Sequence, residues 1–173
     1  MVELAIARDV SRSRSKSRIR AVLVHSLRTA VAVVVSLMVA RFFSLPETYW
    51  APITTIVITQ SSLGAAFEVS RQRFLGTAIG ATVGAIVATY FGHTLFVFAM
   101  SVFVLGLLCA AVHLDRNAYR FGGIGLAIVM LLPRSAPAWQ VAFHRSVEVS
   151  IGIGVALLLT VVWPETEDAS SRK

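Results

Sequence analysis

Charge is scarce in this chain. Only 14% of its 173 residues are Asp, Glu, Lys or Arg, against about a quarter in an ordinary soluble domain. That excludes a protein built to meet water on every side. Cysteine is nearly absent: Cys109 stands alone within an apolar run, so there is no disulfide framework and no cysteine cluster for a metal. Catalytic signatures are missing as well. There is no Gly-x-Ser-x-Gly, no His-Glu-x-x-His and no Gly-x-x-x-x-Gly-Lys, the patterns of a nucleophile elbow, a zinc site and a phosphate cradle. The four histidines, His25, His93, His113 and His144, are scattered over different segments. An enzyme, a cofactor, a metal site and direct use of ATP are therefore not expected.

What fills the chain is apolar. Hydrophobic residues make up 56% and the mean hydropathy is +0.75, the composition of an integral membrane protein. The net charge of +7 does not point to nucleic acid, because six of the sixteen basic residues crowd between Arg8 and Arg20 instead of covering a face. Residues 1–21 read as a basic cytoplasmic tail beside the first membrane helix, with binding to anionic lipid or nucleic acid as the alternative use of such a run. A cleaved leader is not expected. The apolar run that follows is too long for one, and Arg41-Phe-Phe offers no small-residue cleavage site.

Apolar runs of membrane-crossing length predict an all-α bundle of six transmembrane helices over residues 22–164, with a short polar tail at 165–173. The spans fall at about 22–43, 48–66, 74–91, 94–112, 118–132 and 141–163. Positive charge orients them. The Arg8–Arg20 cluster, Arg71 with Arg73, Arg116 with Arg120, and Arg172 with Lys173 share one side, against Arg41, Arg134 and Arg145 on the other. Both termini are then cytoplasmic in a multi-pass protein of the cytoplasmic membrane.

The polar residues inside these spans carry the functional question. Gly76, Gly80 and Gly84 recur every four residues and form a flat groove on one helix face, which lets another backbone approach. Packing and topology alone would account for them and for Arg71 and Arg73 beside them. Arg28 lies more than a turn inside the first span, where a charge must face protein or a wet cavity. Thr55, Thr59 and Ser62 share a face of the second span, with Gln60 beside it. Their hydroxyls either line a path for a polar solute or bond their own i−4 carbonyls or a neighbouring helix. The fourth span reads as mostly lipid-facing. The fifth, short and opening with Arg120-Phe-Gly-Gly-Ile-Gly125, reads either as a broken helix at a transport site or as a close-packed interior helix. In the sixth, Glu148 follows Arg145 by three residues and His144 by four, so both can reach it. The cluster either neutralises itself or senses protons or anions.

Several short runs, in order, carry a resemblance. They are Arg28-Thr-Ala30, Tyr49-Trp-Ala-Pro-Ile-Thr54, Arg73-Phe-Leu-Gly-Thr77 with Gly80, Arg145 with Ile151-Gly152, and Trp163-Pro164. Across roughly residues 21–164 the chain resembles the membrane domain of the fusaric acid resistance (FUSC) and aromatic acid exporter family, to which plant aluminium-activated malate transporters are also similar. The resemblance implies export or passive conduction of small organic anions, often aromatic carboxylates. On that basis the pathway is expected at Arg28, Thr55, Thr59, Arg73 and Arg145, with His144 and Glu148 as candidate proton-coupling groups. Large members of the family join two six-helix halves and a soluble domain, so a single half is expected to act as a homodimer or larger homo-oligomer. A non-transporting membrane subunit that assembles or regulates a larger complex is the alternative.

Overall fold

The computed structural model describes residues 2–59, 62–132 and 136–163, with side chains from residue 18 onward, 21 excepted. Gln60, Pro133, Arg134, Pro164, the acidic run 165–168, Arg172, Lys173 and the side chains of the basic cluster before residue 18 lie outside them. Six helices follow one another: α1 (Val2–Phe42), α2 (Trp50–Ile58), α3 (Leu63–Tyr90), α4 (Leu95–Ala111), α5 (Arg116–Leu131) and α6 (Ala138–Val162). Among the described residues the chain is helical with no strand. Three segments are long and apolar enough to cross a membrane: Arg18–Phe42, Leu63–Tyr90 and Ala138–Val162. At 1.5 Å per residue, α4 with 17 residues is about 25 Å long and α2 with nine only about 14 Å.

The helix boundaries follow from local chemistry. No Gly or Pro interrupts residues 2–42, so α1 continues back through the basic segment instead of starting at the first apolar residue. The run 48–66, expected as one span, is two helices. α2 ends where Thr59 turns extended (φ −60°, ψ 106°), and Ser62 caps α3 by accepting from the Ala65 N–H at 3.3 Å. Serine favours such a cap over a helix interior because its hydroxyl satisfies an orphan N–H. Ser62 therefore leaves the face of Thr55 and Thr59. The same cap places Glu68, Arg71 and Arg73, which the expected spans 48–66 and 74–91 leave in the link between them, on the first turns of α3.

The glycine groove of α3 is filled by α5. A Cβ added to Gly76 would overlap the Ala118 carbonyl, and one on Gly80 would overlap the backbone of Gly122. One on Gly84 would stand 3.2 Å from Leu126 Cα. The three contacts advance in step, so the two helices run parallel with backbones nearly touching. α5 is thus a continuous interior helix, held where only glycine permits.

α6 runs antiparallel to α3. Ala138 and Ala142 join Ala85 and Ala88 in one apolar cluster, and Ala156 joins Ala66 and Ile58 in another. α1 lies against α2 and α6 through Arg28, Ala32, Ser36 and Ala40, one buried residue per turn. α4 buries only Ser101, Leu105 and Cys109, packs half-buried Phe98 against the cluster that holds Leu105 and Cys109, and turns Leu95, Phe96, Phe103, Leu107 and Leu108 outward.

Candidate functional site

Nine-residue α2 is the shelf on which the charged groups meet. Pro52 stands in its first turn, where the missing N–H has no helical partner to lose. Ala51, Thr54 and Thr55 on one face pack against Gly152 of α6. A Cβ at Gly152 would come 2.5 Å from the Ala51 oxygen and 2.6 Å from Thr54 Cβ. This close approach brings three side chains from different helices to bear on α2 and α6.

Arg145 projects from α6 over Trp50 at the start of α2, its Cζ 3.8 Å from the ring centroid. Glu148, one turn further on, meets it at 3.5 Å, Arg145 Nη1 donating to Oε2. Trp50 is fixed in turn by its indole N–H, which donates to Glu47 Oε2 at 2.7 Å. Arg73 reaches over from α3. Its Nε donates to Thr54 Oγ1 at 3.1 Å, and its Cζ lies 4.9 Å from the Phe121 ring on α5. Arg28 enters from α1 near the other end of α6, where Nη2 donates to Thr160 Oγ1 at 2.9 Å.

The three arginines are 0%, 5% and 2% exposed for Arg28, Arg73 and Arg145, and Glu148 is 0% exposed. Among the described residues Glu148 is the one buried carboxylate set against these cations. Taking a guanidinium from water costs several kcal/mol after relaxation, at about the level of one ion. Hydroxyls and aromatic faces offset part of that cost and leave the positive charge in place.

The expected residues divide accordingly. Arg28, Arg73, Arg145 and Glu148 are buried and held by polar or aromatic partners. Thr55 and Thr59 are buried, but their hydroxyl protons are already committed. Thr55 donates to the Ala51 and Gly152 carbonyls at 3.1 and 3.2 Å, and Thr59 to the Thr55 carbonyl at 2.7 Å. His144 is half-buried against Phe143, with ring centroids 6.2 Å apart, and no hydrogen bond joins it to Glu148. Gly76, Gly80 and Gly84 stand at the α3–α5 contact. Thr54, Thr160, Phe121 and Glu47 are partners that sequence reasoning did not single out. Thr54 had a signal: it follows Trp50 by four residues and so shares its face. A cavity of about 380 Å³ lies elsewhere, between α4 and α5, against Val102, Gly106, Leu107, Ala110, Arg116 and Tyr119. It contains none of the expected site residues.

Similar proteins match most of the chain. An uncharacterized transporter, YdhK, of Salmonella typhimurium is 28% identical over 159 residues, 85% of this chain and 23% of its own length. YdhK of Escherichia coli is 27% identical over the same extent. The Escherichia coli inner membrane protein YeeA is 26% identical over 145 residues, 83% of this chain and 41% of its own. The chain thus spans between about a quarter and two fifths of the length of these relatives. No solved structure matches it significantly. The family described as fusaric acid resistance protein-like matches residues 22–159, and the chain belongs to that family.

Proposed function

We propose that this chain forms the membrane part of a transporter for small organic anions, carboxylates foremost. It works as a homodimer or larger assembly in the cytoplasmic membrane, with six spans and both termini inside. The observation that carries this reading is the burial of Arg28, Arg73 and Arg145 against a single buried carboxylate among the described residues. An anion leaving water loses hydration, and fixed cations along its route compensate for that loss only where they are already desolvated and aimed. Arg145 and Arg73 sit by the start and middle of α2, and Arg28 by the far end of α6, so the charges mark a route and not a single spot. Family membership and relatives named as transporters support the same reading. Thr55 enters it as the α2 residue that bonds the Gly152 carbonyl, and Thr59 as the residue that closes α2 and donates to the Thr55 carbonyl.

The test is uptake of labelled benzoate into liposomes containing only the purified protein, with and without a pH gradient. Saturable uptake is expected, falling at least tenfold in Arg28→Ala and in Arg73→Gln, by the loss of one charge–anion contact of about 1.5–3 kcal/mol. Wild-type rates in both variants, at equal insertion, would remove the arginines from the route. In a second reading the chain is a non-transporting membrane subunit that assembles or regulates a larger complex, in keeping with glycine faces that let helix backbones come close. Purified protein without flux, together with a stable partner, would establish it.

A further inference from the structure

The Arg145–Glu148 pair is made in an unusual way. A buried ion pair offsets its desolvation only when its contacts are short and its remaining polar atoms are satisfied. Arginine and carboxylate ordinarily achieve this through two parallel hydrogen bonds of about 2.7–2.9 Å. Here a single contact of 3.5 Å joins them. Arg145 Nε and Glu148 Oε1 are both buried and neither has a hydrogen-bond partner. The guanidinium is positioned from its other side, by the Trp50 ring at 3.8 Å, which Glu47 holds through the indole N–H. The arginine is therefore aimed by a neutral ring on α2, while its carboxylate leaves part of the guanidinium fork unused.

Charge counting gives the ligand. Arg73 has Thr54 and Phe121 as neighbours, both neutral, and lies within the electrostatic field of Arg145. Among these buried groups two guanidinium charges face the one carboxylate of Glu148. Glu47, half-buried at the edge of the site and within the electrostatic field of Arg145, is the less desolvated charge. The buried part of the site is thus net positive by one, and a monoanion suits it. A planar carboxylate matches the guanidinium fork and can take two of its N–H groups at once.

We propose that Glu148 is a tethered counter-anion at this site. It rests on Arg145 in the unloaded protein and yields the guanidinium to the carboxylate of a monoanionic solute, while Arg73 balances the displaced side chain. The inference rests on the anion-pathway reading above and adds to it a named binding group, its resident competitor and the charge of the solute.

Binding can be read without transport. With Trp139→Phe and Trp163→Phe in place, Trp50 is the remaining tryptophan, and the full-length protein in detergent is titrated with benzoate while its emission is followed. A competitor that holds the site nine tenths of the time weakens apparent affinity about tenfold, so Glu148→Gln is expected to bind benzoate about tenfold more tightly. Glu148→Asp, whose carboxylate has a shorter reach, should fall between the two, and Arg145→Gln should give no response. Succinate, a dianion, should gain more than benzoate from Glu148→Gln, because the two guanidinium charges then stand uncompensated. Unchanged or weaker benzoate binding in Glu148→Gln, or no response in any form, would overturn the proposal. Should Glu148→Gln not fold, Glu148→Asp decides: tighter binding supports, equal or weaker binding overturns. Tighter binding without flux from any form would sink the transport reading and leave the tethered anion standing. Flux with an affinity that Glu148→Gln does not move would do the reverse.

Discussion

A guanidinium in a protein interior needs partners for five N–H groups and for its face, and the three buried arginines find different ones. Arg28 uses a threonine hydroxyl, Arg73 a hydroxyl and a ring, Arg145 a ring and a distant carboxylate. The stacked geometry at Arg145 separates charge from shape. Lysine keeps the charge but has neither the planar face nor the fork. A cation–π contact is worth about 0.5–2 kcal/mol, depending on desolvation. Arg145→Lys is therefore expected to lower benzoate flux about tenfold at unchanged insertion. Trp50→Phe, which keeps an aromatic face but loses the N–H to Glu47, should lower it about threefold, within the span of one lost hydrogen bond. Equal flux in Arg145 and Lys forms would mean that the site uses point charge alone. Uptake by matched proteoliposomes checks both.

At the scale of the helix, the α3–α5 contact makes an opposite pair of predictions about glycine. Gly80→Ala drives a Cβ into the Gly122 backbone, and backbone cannot yield as a side-chain tip can, so the helices must part. Overpacking of this kind costs about 1–3 kcal/mol. Gly123→Ala meets nothing within 4 Å and gains the helix preference of alanine, up to about 1 kcal/mol. Cys109, the sole cysteine and buried, supplies the readout: its reaction with a thiol-reactive dye on heating reports unfolding. Gly80→Ala should react at a lower temperature than wild type and Gly123→Ala at the same or a higher one. Reversal of that order would contradict the α3–α5 packing. The glycine face was legible in sequence because a four-residue period survives in the helix unchanged. The division of the second span was not, since hydropathy runs on through Thr59 to Ser62 and only the cap reveals the new start. Nor was the choice of partner for Glu148. Spacing allowed both His144 and Arg145, and the Trp50 ring, 95 positions before Arg145 in sequence, is what holds the arginine there.

For the whole molecule the open question is how the six helices meet the bilayer. α4 supplies a direct handle. Its 17 residues reach about 25 Å, most of a hydrocarbon layer of about 30 Å, and its outward Phe and Leu residues suit lipid. His93, before its start, and Asn117, beyond its end, are both exposed and stand at opposite ends of the helix. With the amino terminus inside, the link at His93 falls outside and the start of α5 at Asn117 inside, in keeping with Arg116 and Arg120 beside the latter and no Lys or Arg beside the former. In a Cys109→Ser background, His93→Cys should react in intact cells with a membrane-impermeant maleimide. Asn117→Cys should react only after the membrane is opened. Labelling of Asn117→Cys alone would invert the orientation and place the basic segment of α1 outside. Equal labelling of both in intact cells would mean that α4 does not cross, and the six-span arrangement would fall with it.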